Sequence, residues 1–573
     1  MLHHRPRLLW LTTPILIASL ATDQEPSSRP QDKIAPRRGL GPGPVWRGPV
    51  TPSGKNEVFA TGDGCAMCHS ASPRAIAMRS TTGDDISPHG LWQATLMANA
   101  FLDPYWRAQV AKECAANPGH EAEVQSLCIR CHAPMASQTA KLGGVASPDL
   151  ATAAQDPLAR DGVSCTVCHQ AQSQDLGTPA SFSGNLTIGK ERTIFGPYEQ
   201  PAAMPMQMHS GYTAVHGPHI STSALCGACH TLITSHGITS HGITSHGITS
   251  TGGTPFPEQT PYLEWRNSAF ANESGPREGA RSCQDGHMPR QGPVRIARNP
   301  AGRDFNIEAR PGYAAHVLTG GNAFMLDMLR TNAKELEVTA TPAALERAAA
   351  ITRRQLADQS AKLTISAPKR GDGLLEFEVQ IENLTGHKLP TGYPARRAWL
   401  QVEVRSGREV VFQTGGFDKD GRLLAVLDER AIPHRDLVTK PSDVVVYECV
   451  PTTQGGQPTL LLTKMSGQAK DNRLLPKGWR KDGPHAAETA PVGVEHDPDF
   501  GPGGDTVHFA IPIAKAAPKV MVVAWLRYQP IPPAWVEPLR TTDADAARTF
   551  VRLYDAADKT PDVAGLAARS EGD

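Results

Sequence analysis

The sequence predicts a mixed α+β fold of several domains: a loop-rich, mostly α-helical first half, then a C-terminal antiparallel β-sandwich. Three observations carry this expectation. The chain has 573 residues, too many for a single hydrophobic core. Every cysteine pair lies between Cys65 and Cys229, where regular periodicity is sparse and turn residues are frequent. Beyond about residue 365 the apolar spacing changes from the helical period to a period of two.

Residues 1–21 read as a secretory signal, with the basic start MLHHRPR, an apolar run from Leu8 to Leu20 and a small-residue end at Ala21. The alternative is an uncleaved N-terminal membrane anchor, for which the run is short. Residues 22–60, rich in Pro, Gly, Arg and Ser, read as a linker. Lys+Arg and Asp+Glu both number 57, so no net field argues for nucleic acid or an acidic membrane surface. With 52 Gly and 49 Pro the chain is turn-rich without reaching the level of disorder.

Residues 61–335 carry the chemistry. The pattern CxxCH occurs at Cys65/Cys68/His69, Cys128/Cys131/His132, Cys165/Cys168/His169 and Cys226/Cys229/His230. In this pattern each cysteine can form a thioether to a haem vinyl group, and the adjoining histidine is delivered to the iron. Four copies imply four covalently bound haems c. A zinc ribbon is the competing reading of a cysteine pair, and an immediate histidine after every pair argues against it. Residues 282–289 read SCQDGHMP, keeping Cys283 and His287 but placing Gly286 where a second cysteine would complete the motif. This is either a fifth haem site with a single anchor or a loop with a stray thiol. Outside the four intact pairs stand Cys114, Cys283 and Cys449, which spacing cannot pair.

Regular elements in this region are few. Residues 91–101 place Trp92, Leu96, Met97, Ala100 and Phe101 on one helical face, and Asp103-Pro104 opens a further helix. ITSHG repeats carry His236, His241 and His246; a period of five suits neither helix nor strand, so a surface insertion is expected over a metal tract. Residues 336–365 hold a connecting helix that starts at Thr341-Pro342 and runs to about Lys362. Residues 366–540 form the β-sandwich: Leu375, Phe377, Val379 and Ile381 alternate with polar residues, as do Leu400, Val402 and Val404. Further strands are expected at Val410–Phe412, Val444–Tyr447, Leu460–Leu462, Val507–Ile511 and Val520–Trp525. Residues 541–573 are expected to be a C-terminal tail.

The segments WQATLMANAFLDPYWRAQV, LCIRCHAP, DGVSCTVCH, CGACHT, FPEQTPYLEWRNS, CQDGHMP, HVLTGGNAFMLDML, NLTGHKLPTGYPARRAWL, DNRLLPKGW and RYQPIP resemble those of exported bacterial multihaem c-type cytochromes of the c-552/4 type. They are similar to the tetrahaem cytochromes that accept electrons in nitrifying bacteria. The resemblance runs from about residue 57 to 540 and makes residues 61–335 a multihaem cytochrome c domain. It implies that His316 and His387 are distal ligands, and that the phrase at Cys283 normally carries a second cysteine and hence a fifth haem. His89, His209, His216 and His219 are further ligand candidates, while Met97, Met204, Met206 and Met208 read better as packing. Arg396 and Arg397 either face a haem propionate or are ordinary edge-strand charges.

The expected function is electron transfer between donor and acceptor redox proteins, in the periplasm or at the cell surface. Membrane association would come only through an uncleaved N-terminus. The alternative is a multihaem oxidoreductase acting on a small nitrogen or sulfur compound at an open haem, with the anomalous fifth site as a candidate. Hydrolase and phosphate-loop motifs are absent.

Overall fold

The computed structural model describes residues 53–235 and 255–572, apart from 274, 276, 431 and 515–517. The expected signal, nearly all of the 22–60 linker and His236, His241 and His246 lie outside the described residues. The architecture is mixed α+β, with short helices, long loops and, among the described residues, three two-stranded sheets beside two five-stranded ones.

The helix Pro104–Ala116 begins as expected, Asp103 accepting hydrogen bonds from the backbone N–H groups of Tyr105 and Trp106 at 2.8 and 3.1 Å. Residues 91–101 differ. A helix spans only Pro88–Trp92, and turns follow. The Thr95 hydroxyl donates to the Trp92 carbonyl, and the Asn99 amide donates to the carbonyls of Gln93 and Thr95. Side chains thus take the carbonyls that a continuing helix would use. Trp92, Ala100 and Phe101 are buried all the same.

The connecting helix is Pro342–Gln359, capped by Thr341 and burying Leu345, Ala349, Thr352 and Leu356. It stops short of Lys362 because Ala361–Ile365 is already a strand, paired to Leu374–Asn383. One five-stranded sheet runs Leu437–Val438, Gly504–Pro512, Leu374–Asn383, Ala361–Ile365, and Lys369–Gly371 also pairs with Leu374–Asn383. The other runs Val445–Tyr447, Arg397–Ser406, Met521–Gln529, Asp562–Ser570, with Glu409–Thr414 paired to Arg397–Ser406. Pairing in both is antiparallel except between Leu437–Val438 and Gly504–Pro512, which run parallel. Inward residues of both sheets share one apolar cluster, including Phe377 stacked on Phe509 at 4.6 Å with Leu400 and Ala524 from the facing sheet.

Arg397–Ser406 departs from simple alternation. It is buried on both faces, because Trp399 on the outer side packs in a second cluster with Leu423, Ile432, Val444 and Val446. The apolar run 460–462 forms no strand; Leu462–Lys464 is a single 3₁₀ turn.

The expected tail is the largest correction. Residues 541–573 contain a helix, Asp545–Ala556, and an edge strand, Asp562–Ser570, paired with Met521–Gln529. The helix buries Ala547, Phe550, Leu553 and Tyr554 in the same cluster as Tyr105, Ala108 and Leu326. Full burial of a side chain like Phe550 is worth roughly 1.5–3 kcal/mol, so this segment is part of the core.

Candidate haem-binding cavity

Positions i, i+3 and i+4 share one face of a helix, so a helical CxxCH motif presents both thiols and the imidazole together. Each motif occupies such a place. Cys65 and Cys68 end the helix Gly62–His69, Cys128 and Cys131 end Glu121–His132, Cys165–Cys168 is one turn, and Cys226 lies in Ser223–Gly227. The incomplete motif is built alike. Ser282 caps the helix Cys283–His287 in a reciprocal box with Asp285, and the Cys283 amide donates to the Ser223 hydroxyl at 3.0 Å.

All nine motif cysteines and His69, His132, His169, His230 and His287 line one continuous cavity of about 1310 Å³. His89, His209, His316 and His387 line it too. His216 is exposed on the strand Thr213–His216 and His219 bonds the Ala171 carbonyl at 2.8 Å; neither lines the cavity. Met97 and Met206 line it, whereas Met204 and Met208 are exposed. Arg396 lines it as well, but Arg397 points the other way along the extended strand and bonds Gln529 and Glu429 at 3.0 Å each. A propionate contact is therefore open to Arg396 and closed to Arg397.

The imidazoles are oriented for ligation. Nδ1 donates to a backbone carbonyl in His69 (Ile296, 2.9 Å), His132 (Ala100, 3.0 Å) and His169 (Phe195, 2.7 Å). The same holds for His287 (Thr319, 2.5 Å), His316 (Ala314, 3.0 Å) and His387 (Lys388, 2.8 Å). A proton held on Nδ1 leaves the Nε2 lone pair for a metal. Burial keeps these rings neutral: it lowers His132 and His230 to about 4 and His316 to about 3, and lowers His69, His169, His287 and His387 as well.

Two pairs face one another. His169 and His316 have ring centroids 6.3 Å apart and planes 24° apart; for His287 and His387 the values are 6.2 Å and 15°. Two metal–nitrogen bonds of about 2.0–2.1 Å, plus about 1.1 Å from each nitrogen to its ring centre, require about 6.3 Å. His89 is a third candidate partner: its Nε2 is buried without a hydrogen bond, burial lowers it to about 4, and it is near enough to His69 for the two to disfavour each other's protonation. Thiols of different motifs are neighbours: Cys65 and Cys165, Cys131 and Cys229, and Cys226 and Cys283 perturb one another's titration.

The residues therefore fit c-type haem. Thiols and Nε2 atoms line an apolar cavity, and an orphaned imidazole nitrogen faces into it. Among the described residues, the His/Cys/Asp/Glu groups close enough to hold a bare metal ion contain no cysteine, which is not the arrangement of a zinc ribbon. Of the thiols outside the intact pairs, Cys114 is half-buried and Cys449 is buried in the β half; both are free.

The sequence reading missed a polar wall near His132. That ring stacks on Trp106 at 4.3 Å and 7°. Around the cavity beside it, Tyr105 Oη, both amide atoms of Gln109, Tyr393 Oη and Glu258 Oε2 are buried without hydrogen-bond partners, and burial pushes Glu258 up to about 7. Their only sequence signal was the helix start at Asp103-Pro104.

No family model and no curated protein matches the chain. Among solved structures it is similar to a penta-heme cytochrome c552 from Thermochromatium tepidum, at 16% identity and a TM-score of 0.49, over 90% of this chain and 100% of that one.

Proposed function

We propose that the chain is an exported multihaem c-type cytochrome that passes electrons between redox proteins. Four haems would be held by paired thioethers and a fifth by Cys283 alone. The observation that carries the reading is the pair of imidazole couples, His169/His316 and His287/His387, at the separation one iron between two Nε2 atoms requires. Bound haem c supplies one-electron redox chemistry. The chain's own residues do the rest. Cysteines would anchor the haems, backbone carbonyls hold the Nδ1 protons of His69, His132, His169 and His287, and His316, His387 and His89 would offer a second imidazole.

The neighbouring thiols support an order among the anchors. The fourth intact motif, Cys226/Cys229/His230, neighbours the second, Cys128/Cys131/His132, through Cys229 and Cys131, neighbours Cys283 through Cys226, and interacts electrostatically with Cys168 of the third at both its cysteines. Motif one neighbours motif three at Cys65 and Cys165. We read motif four as the branch point. The C-terminal half, its sheets closing as a sandwich, serves as the scaffold that offers His387.

A second reading, an oxidoreductase acting on a small nitrogen or sulfur compound, is favoured by the buried Tyr105 and Tyr393 hydroxyls, the Gln109 amide and the Glu258 Oε2 atom, which have no hydrogen-bond partner on the cavity wall. It moves the open position away from the fifth site, where His387 already faces His287.

Haem counting on protein matured in a host with the attachment machinery, combined with electron paramagnetic resonance, tests both readings. Five haems with at least two bis-imidazole low-spin signals are expected. Three or fewer covalent haems would refute the cytochrome reading, and a high-spin ferric signal altered by added nitrite or cyanide would favour the second.

A further inference from the structure

Outside the cavity, three segments of the β half converge: His434 and Asp436 before the strand Leu437–Val438, Asp497 and Asp499 in a loop, and Asp505 and His508 on Gly504–Pro512. They make two layers. His434, Asp497 and Asp505 bring ligand atoms within 4.8 Å of one another on the inside, and Asp436, Asp499 and His508 do so on the outside.

In the inner layer His434 is spoken for. The Asn472 side chain is fixed by the Glu448 amide on its oxygen (3.0 Å) and by its own bond to the Val446 carbonyl (2.8 Å). Its Nδ2 therefore donates to His434 Nδ1 at 2.9 Å, which puts the ring proton on Nε2, 2.8 Å from Asp497. Asp505 is 3% exposed; Tyr447 donates to its Oδ2 at 2.6 Å, and its Oδ1 has no partner. A buried carboxylate oxygen without a donor calls for a cation or a water.

In the outer layer His508 Nε2 donates to Asp499 Oδ2 at 3.0 Å and lies 3.6 Å from Asp436 Oδ1, an oxygen buried without a hydrogen bond; a cation bound here takes the place of that proton. Two ligands of one tetrahedral ion at about 2.0–2.1 Å stand about 3.3 Å apart. Glu378 faces His508 Nδ1 at 3.5 Å, and the Thr506 amide holds the other Asp499 oxygen at 3.2 Å. A carboxylate behind the ligating imidazole is the usual support of a metal-bound histidine. Among the described residues the ion-pair partners of Asp436, Asp497 and Asp499 are imidazoles alone.

We propose that Asp436, Asp499 and His508 bind a divalent first-row cation of the zinc type, backed by the buried carboxylates of Asp497 and Asp505. One nitrogen and two oxygens, half exposed, suit such an ion and leave a position for water. The bound ion fastens the 434–436 and 497–499 segments to the start of the strand Gly504–Pro512. The inference stands independently of the haem reading.

Calorimetric titration of the metal-stripped holoprotein with Zn²⁺ tests it. The native chain is expected to bind one more equivalent than His508→Ala, and the near-isosteric Asp436→Asn is expected to weaken that equivalent at least tenfold. Zinc held by the 236–246 histidines would remain in both variants and so subtract out. Soret and far-ultraviolet spectra check folding, and Asp436→Asn serves if His508→Ala misfolds. Identical stoichiometry and affinity in native and variant proteins would overturn the proposal.

Discussion

His387, from the loop after the strand Leu374–Asn383, faces His287, from the helix Cys283–His287, with ring centroids 6.2 Å apart. The two residues come from different regions of the chain, 61–335 and 366–540. If both Nε2 atoms ligate one iron, replacing His387 with Ala converts one haem from low-spin to high-spin and leaves the others unchanged. Electron paramagnetic resonance reads this directly; an unaltered spectrum would remove His387 from the ligand set.

The loop that delivers His387 is held from the other half by Glu264. This fully buried carboxylate accepts from the Lys388 amide at 3.0 Å and the Thr391 hydroxyl at 2.5 Å, and Arg473 stands 3.6 Å from its second oxygen. Glu264→Ala strands three donors, those of Lys388, Thr391 and Thr260, at about 1–3 kcal/mol each, while Arg473 keeps its paired bonds to Asp471. Glu264→Gln keeps an acceptor and is expected to cost less. Denaturant titration measures both, and the low-spin signal assigned through His387→Ala should broaden in the alanine variant but not in the glutamine one.

At Gly286 a Cβ would meet no atom within 4 Å, so a side chain fits there. Gly286→Cys completes the fifth CxxCH and is expected to convert a singly anchored haem to a doubly anchored one. Intact mass would stay at five haems plus the side-chain difference. A shift of the reduced α-band toward that of the other haems reports the second thioether. Retention of only four haems in both proteins would show that the loop holds none.

How much of this was legible follows from the range of each interaction. The motif thiols and imidazoles are local, three and four residues apart on one helix turn, so spacing alone set their common face. The strand Leu374–Asn383 was equally plain, because one of its faces meets the core. The facing of His316 on His169 depends on loops that carry no periodicity; motif spacing marked His169, and only the family resemblance singled out His316. The helix Asp545–Ala556 was readable in principle: Ala547, Phe550, Leu553 and Tyr554 recur at helical spacing. The non-helical course of 93–102 was not, since Thr95 and Asn99 become turn formers only once their hydroxyl and amide choose backbone partners. The polar wall at Tyr105 and Gln109 was hidden for a related reason: helical spacing says which face is buried, not what chemistry it meets.

Asp161 offers a test through pH. It is buried behind the first motif, accepting from the Gly62 amide at 2.8 Å, and burial pushes its carboxyl up to about 7. The folded state therefore holds a proton that the unfolded chain, with a carboxyl near about 3.9, releases earlier. Stability from this group is fully present below about pH 4 and is lost as pH rises toward 7, because the folded state binds more protons across that window. Three units correspond to about 4 kcal/mol, an order of magnitude for a buried group. Asp161→Asn keeps an oxygen for the Gly62 amide and removes the titration. The variant is therefore expected to match the native chain at pH 5 more closely than at pH 8, where it should be the more stable of the two. Urea denaturation at both values decides it: an equal difference at pH 5 and pH 8 would mean that Asp161 is ionised in the folded protein throughout.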